Sequence, residues 1–130
     1  MILTLRTDNP EAEIGLFTSD GQKLAYDTWL AHRELADTLL IRIRELLVSQ
    51  KSSFTDVQGI VVFQGPGSFT GLRIGITVAN TFAYAQEIPI VGAMGEAWVA
   101  EGIARLAAGE NQKIVLPEYG AEANITTPRK

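Results

Sequence analysis

The run Gly65-Pro66-Gly67-Ser68-Phe69-Thr70-Gly71-Leu72-Arg73-Ile74-Gly75 constrains the fold of this chain more than any other stretch. Before it stands Gly59-Ile60-Val61-Val62-Phe63-Gln64, a short β-branched apolar stretch that reads as a buried strand. After it, Leu72 to Gln86 is apolar and free of proline, and reads as a helix. A strand turning this tightly into a helix marks an α/β domain. Gly65 and Gly67 can take positive φ, Pro66 stiffens the turn between them, and Ser68 or Thr70 can cap the helix.

Glycine-rich turns of this kind invite three chemical readings. A phosphate loop needs a Lys after its last glycine, and none follows here. A dinucleotide fingerprint needs a third glycine where Thr70 stands, and no acidic residue on a later strand completes it. A serine-nucleophile elbow fails because Thr70 follows Phe69, and His32 is the only available base. The spacing alone is met by a tight, well-capped turn, whose free N–H groups at the helix start can still hold an anion.

Taken whole, Gly65 to Gly75 resembles the GPGSFTGLRIG signature of the TsaB (YeaZ) family along all eleven positions. Arg6-Thr7-Asp8-Asn9 stands where that family has an Ile-Asp-Thr-like step. His32-Arg33-Glu34-Leu35 resembles its His-Ser-Glu-x-Leu, and Ile88-Pro89-Ile90-Val91-Gly92 resembles its next strand. Pro117-Glu118-Tyr119 resembles a Pro-x-Tyr near its C-terminus, without the usual following Arg. The resemblance implies a ribonuclease-H-like, actin-like lobe. It also implies a part in making threonylcarbamoyladenosine in tRNA.

The 130-residue length suits one domain, with 46% hydrophobic and 20% charged residues. No apolar run is long enough for a membrane span, and Met1 leads into Ile2-Leu3-Thr4-Leu5 without signal-peptide character. The absence of cysteine excludes disulfides and thiolate metal sites and favours the cytoplasm. A formal net charge of −4 disfavours direct tRNA binding.

Ile2 to Arg6, Glu13 to Thr18 and Gln22 to Leu30 read as three strands of an antiparallel meander, with Ser19-Asp20-Gly21 as a hairpin turn. Asp8 is expected to cap the turn before Pro10. In actin-like kinases a residue of that type holds a phosphate-bound metal. Arg33 to Ser49 reads as a first helix whose core stripe is Leu35, Ala36, Leu39, Leu40, Ile43, Leu46 and Leu47, with Ile41 and Val48 pointing elsewhere. His32 reads as a surface residue at its start. After the polar loop Lys51 to Asp56 come the signature strand, the second helix, a strand over Ile88 to Gly92 and a third helix over Glu96 to Ala108. Lys113 to Leu116 reads as a last strand, and Pro117 to Lys130 as an extended tail with a basic end.

In the second helix Gly71, Gly75, Ala79 and Ala83 repeat every four residues and form a ridge of small side chains where another helix can approach closely. Ile74, Val78, Phe82 and Ala85 form a bulkier face suited to the sheet. With the resemblance, which implies a four-helix interface, the expected partner surface is Ile41, Val48, Gly71, Leu72, Gly75, Ile76, Ala79 and Ala83. The same surface would serve a homodimer in isolation or a TsaD-like catalytic subunit, with a TsaE-like ATPase in the assembled complex.

The expected architecture is therefore one α/β lobe over residues 1–108, with 109–130 as terminal strand and tail. The resemblance is weak beyond 108, so the chain reads as a short form without the family's second lobe. The expected role is a non-catalytic subunit with no cofactor or metal of its own, reaching tRNA only through its partner. Two other classes stay open: a small nucleotide hydrolase using Asp8 and the Gly65 turn, and a homodimeric interaction protein unrelated to tRNA.

Overall fold

The computed structural model describes residues 1–67 and 69–119; the side chains of His32 and Phe69, Ser68, and the tail 120–130 lie outside that description. The expected surface placement of His32, the capping role of Ser68 and the reading of the tail therefore lie outside it too. Three antiparallel strands open the chain: β1 (Ile2–Arg6), β2 (Glu11–Phe17) and β3 (Lys23–Leu30). The β2–β3 turn closes on Gly21, at φ +94°, which lets Thr18 N–H reach Gln22 O. A single 3₁₀ turn, His32–Glu34, leads into α1 (Leu35–Ser49). Then follow β4 (Gly59–Phe63), α2 (Phe69–Gln86), β5 (Ile90–Ala93) and α3 (Trp98–Ala107).

The five strands lie in the order β3-β2-β1-β4-β5, with β4 parallel to both β1 and β5. The meander and the two parallel additions are those read from the sequence. Strand alternation sorts the layers. Gly59 lies against Ile2 and against Leu106 of α3, Val61 meets Gly102, and Phe63 stacks edge-on against Trp98 at 5.7 Å. The opposite parity belongs to the other helices: Thr7 lies against Gly75 of α2, and α1 packs beside α2. So α1 and α2 share one sheet face, as right-handed crossovers require, and α3 covers the other.

Several boundaries and one face differ from the sequence reading. α2 begins at Phe69 rather than Leu72. α1 buries Leu35, Leu39, Ile43 and Leu47, while Ala36 and Leu40 of the expected stripe are exposed. A helix lying on a sheet beside one neighbour needs only this narrow stripe. Lys113 to Leu116 forms no strand; the backbone bends at Lys113, whose φ is +68°, and the segment is held beside β5 mostly by side chains.

The larger correction concerns α2. Leu72, Ile76, Ala79 and Ala83 are each at most 3% exposed, and Gly75 is buried with them. The small-residue ridge faces the sheet of its own lobe, not a partner. The reason is steric: a Cβ on Gly75 would run into Thr7 Oγ1. Small residues let α2 settle onto the end of β1, and the Thr7 hydroxyl then donates to Gly71 O at 2.7 Å. The bulkier face expected on the sheet is instead turned partly outward, with Ile74 and Val78 half-buried and Ala85 exposed; only Phe82 is buried.

Candidate functional site at the strand-to-helix turn

The C-terminal ends of β1 and β4 meet the start of α2, and this junction gathers most of the residues singled out by sequence. Gly65 is buried at φ +125°, a conformation a side chain would strain, and its peptide bond to Pro66 is cis. Pro66 is exposed at the tip, and Gly67 lies against Asp8, where a Cβ would come within 2.5 Å of the Asp8 Cβ. Thr70 and Arg73 are exposed on the first turns of α2, Gly71 is half-buried, and Phe69 begins the helix. A groove of about 270 Å³ beside the turn is lined by Thr7, Asp8, Pro10, Thr70, Gly71 and Ile74.

Asp8 does not act as the expected cap before Pro10. Its carboxylate accepts from Arg6 twice, from Nε at 2.8 Å and from Nη2 at 3.2 Å, with its side chain only 8% exposed. The Arg6 guanidinium lies 3.9 Å over the Phe63 ring, and the hydrogen bond to Asp8 pushes its pKa up. The carboxylate nearest the turn is thus already neutralised by an arginine on the neighbouring strand position. Among the described residues no group of three His, Cys, Asp or Glu side chains is placed to hold a metal ion.

The expected partner surface separates into two parts. Ile41 and Val48 of α1 are 57% and 62% exposed, as anticipated. Leu72, Gly75, Ile76, Ala79 and Ala83 lie inside the lobe, and Gly71 faces Thr7. Sequence reasoning missed Leu40, which joins Ile41 and Val48 on the outer side of α1. It also missed an apolar groove of about 340 Å³ between the helices, lined by Leu40, Phe54, Thr77, Val78, Thr81 and Phe82. The i, i+4 spacing of Thr77, Thr81 and Ala85 was the available signal. Arg6 was legible too, since it shares the parity of Ile2 and Thr4 and so the sheet face of Phe63.

A family model described as "TsaD: tRNA N6-adenosine threonylcarbamoyltransferase" matches residues 29–112. The tRNA threonylcarbamoyladenosine biosynthesis protein TsaB of Escherichia coli is 33% identical over 101 residues, covering 78% of this chain and 43% of that protein. The protein of the same name from Bacillus subtilis is 36% identical over 89 residues, covering 68% and 38%. The solved structure of YeaZ from Pseudomonas aeruginosa superposes with a TM-score of 0.67 at 30% identity, over 83% of this chain and 49% of that one. The chain thus spans less than half the length of the relatives it matches. No described helix is long and apolar enough to cross a membrane.

Proposed function

Because this chain belongs to the TsaB (YeaZ) family and has its actin-like lobe, we propose that it serves threonylcarbamoyladenosine synthesis in tRNA as a non-catalytic accessory subunit. The observation that carries this reading is the unbroken Gly65–Gly75 signature, which spans the turn after β4 and the first turns of α2 of that lobe. The transfer chemistry belongs to a TsaD-like partner. The pairing of Asp8 with Arg6 argues against a nucleotide hydrolase built on this turn, since both carboxylate oxygens already accept from a guanidinium whose positive charge opposes a metal ion at the same place.

The partner surface is the outer side of the α1–α2 pair: Leu40, Ile41 and Val48, and the groove that reaches Val78 and Ala85. This replaces the ridge of small residues as the contact. Exposed aliphatics aligned on one helix beside an apolar groove are what a second helix pair buries. The test is co-purification with the TsaD of the same organism. Ile41→Arg and Val48→Arg each place an unpaired charge in the contact, and the complex weakens by roughly tenfold or more. Variants that remain folded by circular dichroism and bind TsaD like the parent defeat the proposed surface. Failure of the parent chain to bind TsaD at all defeats the proposed function.

A further inference from the structure

The segment Asn111–Tyr119 follows the edge of the sheet without joining it as a strand, and its bonds fall in an unusual pattern. Along β5, Ile90 N–H donates to Asn111 Oδ1 at 3.1 Å and Gln112 N–H donates to Ile90 O at 2.9 Å. Gly92 N–H donates to Gln112 Oε1 at 2.6 Å, and Arg105 Nη1 donates to Gly92 O at 2.7 Å. Farther along, the Asn80 carboxamide of α2 grips the Val115 backbone from both sides: Nδ2 donates to Val115 O and Oδ1 accepts from Val115 N–H, each at 2.9 Å. The Val115 side chain is 1% exposed and occupies the space that a Cβ on Gly92 would need.

The segment then leaves β5 and reaches the turn. Gln64 Nε2 donates to Leu116 O, and Glu118 N–H donates to Gln64 O, both at 2.8 Å. Glu118 O rests against Gly65 where no Cβ fits, and Arg73 Nε donates to Tyr119 Oη at 3.3 Å. Edge cover alone would end at β5. These contacts instead touch the residues on both sides of the turn, Gln64 and Gly65 before it and Arg73 after it.

We propose that Asn111–Tyr119 is a clasp that positions the Gly65–Gly67 turn and the start of α2, with Asn80 and Val115 as its catch and Gln64 as its point of action. The catch lies well along α2 from the turn, so opening it tests coupling rather than local damage. The measurement is amide hydrogen exchange of the full chain, followed peptide by peptide. In Asn80→Ala, which removes both carboxamide bonds, segments 112–119 and 64–72 both exchange roughly tenfold faster or more, while the β1–β2 hairpin keeps the parent rate. Val115→Ala trims the anchor without adding bulk and gives the same two-segment response, and it carries the test where Asn80→Ala does not fold. Acceleration confined to 112–119 in the folded variants overturns the proposal, because the segment is then only an edge cover. Exchange of 112–119 in the parent at the rate of a free peptide overturns it as well.

Discussion

Thr7 and Gly75 show how one missing side chain sets the height of a helix above a sheet. Thr7 is 2% exposed, and its hydroxyl has its partner, Gly71 O, only because nothing projects from Gly75. Gly75→Ala therefore destabilises the lobe by about 1–3 kcal/mol through overpacking. Thr7→Ala/Gly75→Ala is less destabilised than the sum of the single variants, which urea titration of the cycle measures. A second residue-scale outcome concerns pH. Partial burial, and then donation to Glu13 at 2.5 Å, push the phenol of Tyr26, itself 37% exposed, above its usual value. The unfolded chain releases that proton near pH ~10 while the native one retains it. The unfolded state then binds fewer protons, so stability falls as pH rises past that point. Denaturant midpoints followed across the alkaline range show this slope in the parent and lose it in Tyr26→Phe.

At the scale of elements, the sequence carried the order and kind of every strand and helix that positions the turn. Short apolar, β-branched runs bounded by turn residues made the strands legible, and the glycine-proline punctuation placed the turn between β4 and α2. It did not carry which side of α2 meets the sheet. A ridge of Gly71, Gly75, Ala79 and Ala83 means close approach, but a flat strand and another helix make the same demand, and the helix alone does not name its neighbour. The clue lay elsewhere, in Asn80: a half-buried carboxamide in the middle of the helix has to find a partner to bond, and it finds the Val115 backbone. The expected last strand, Lys113 to Leu116, fails to form for a related reason. Its apolar alternation is real, with Val115 inward and Ile114 and Leu116 outward, yet side chains take the bonds a ladder would have used. With the ridge inward, Ala79→Arg unfolds the lobe instead of abolishing an association, which loss of the helical circular dichroism signal reports.

The described molecule is one sheet between two helical layers, with a tryptophan on each side of the sheet, Trp29 from β3 and Trp98 from α3. Trp29 donates to Thr38 on the α1 side, and Trp98 packs on Phe63 on the α3 side. A lobe of this size with a continuous core unfolds as a unit. Trp29→Phe and Trp98→Phe, each leaving one reporter, therefore give fluorescence transitions that coincide with circular dichroism of the same variant; two separated midpoints would show that the layers melt independently. The proposed non-catalytic role is tested at the same scale. With Asp8 held by Arg6, steady-state assays with magnesium give no ATP turnover that follows this chain and disappears in Asp8→Ala.

The two rims of the sheet are unlike. β5 has its backbone groups taken up by Asn111, Gln112 and Arg105, whereas β3, eight residues long at the far rim, pairs only with β2 among the described strands. An unpaired strand rim is a template on which another chain can crystallise its own backbone, and a molecule with two such rims can polymerise without end. Here only one of the two rims is open to strand addition. Were two copies to pair through β3, each would consume the other's single open rim, and the outer rims of the joined sheet would both be covered. Growth by strand addition stops at a closed pair, so the fold carries its own protection against fibre formation in the half of the molecule where the clasp lies.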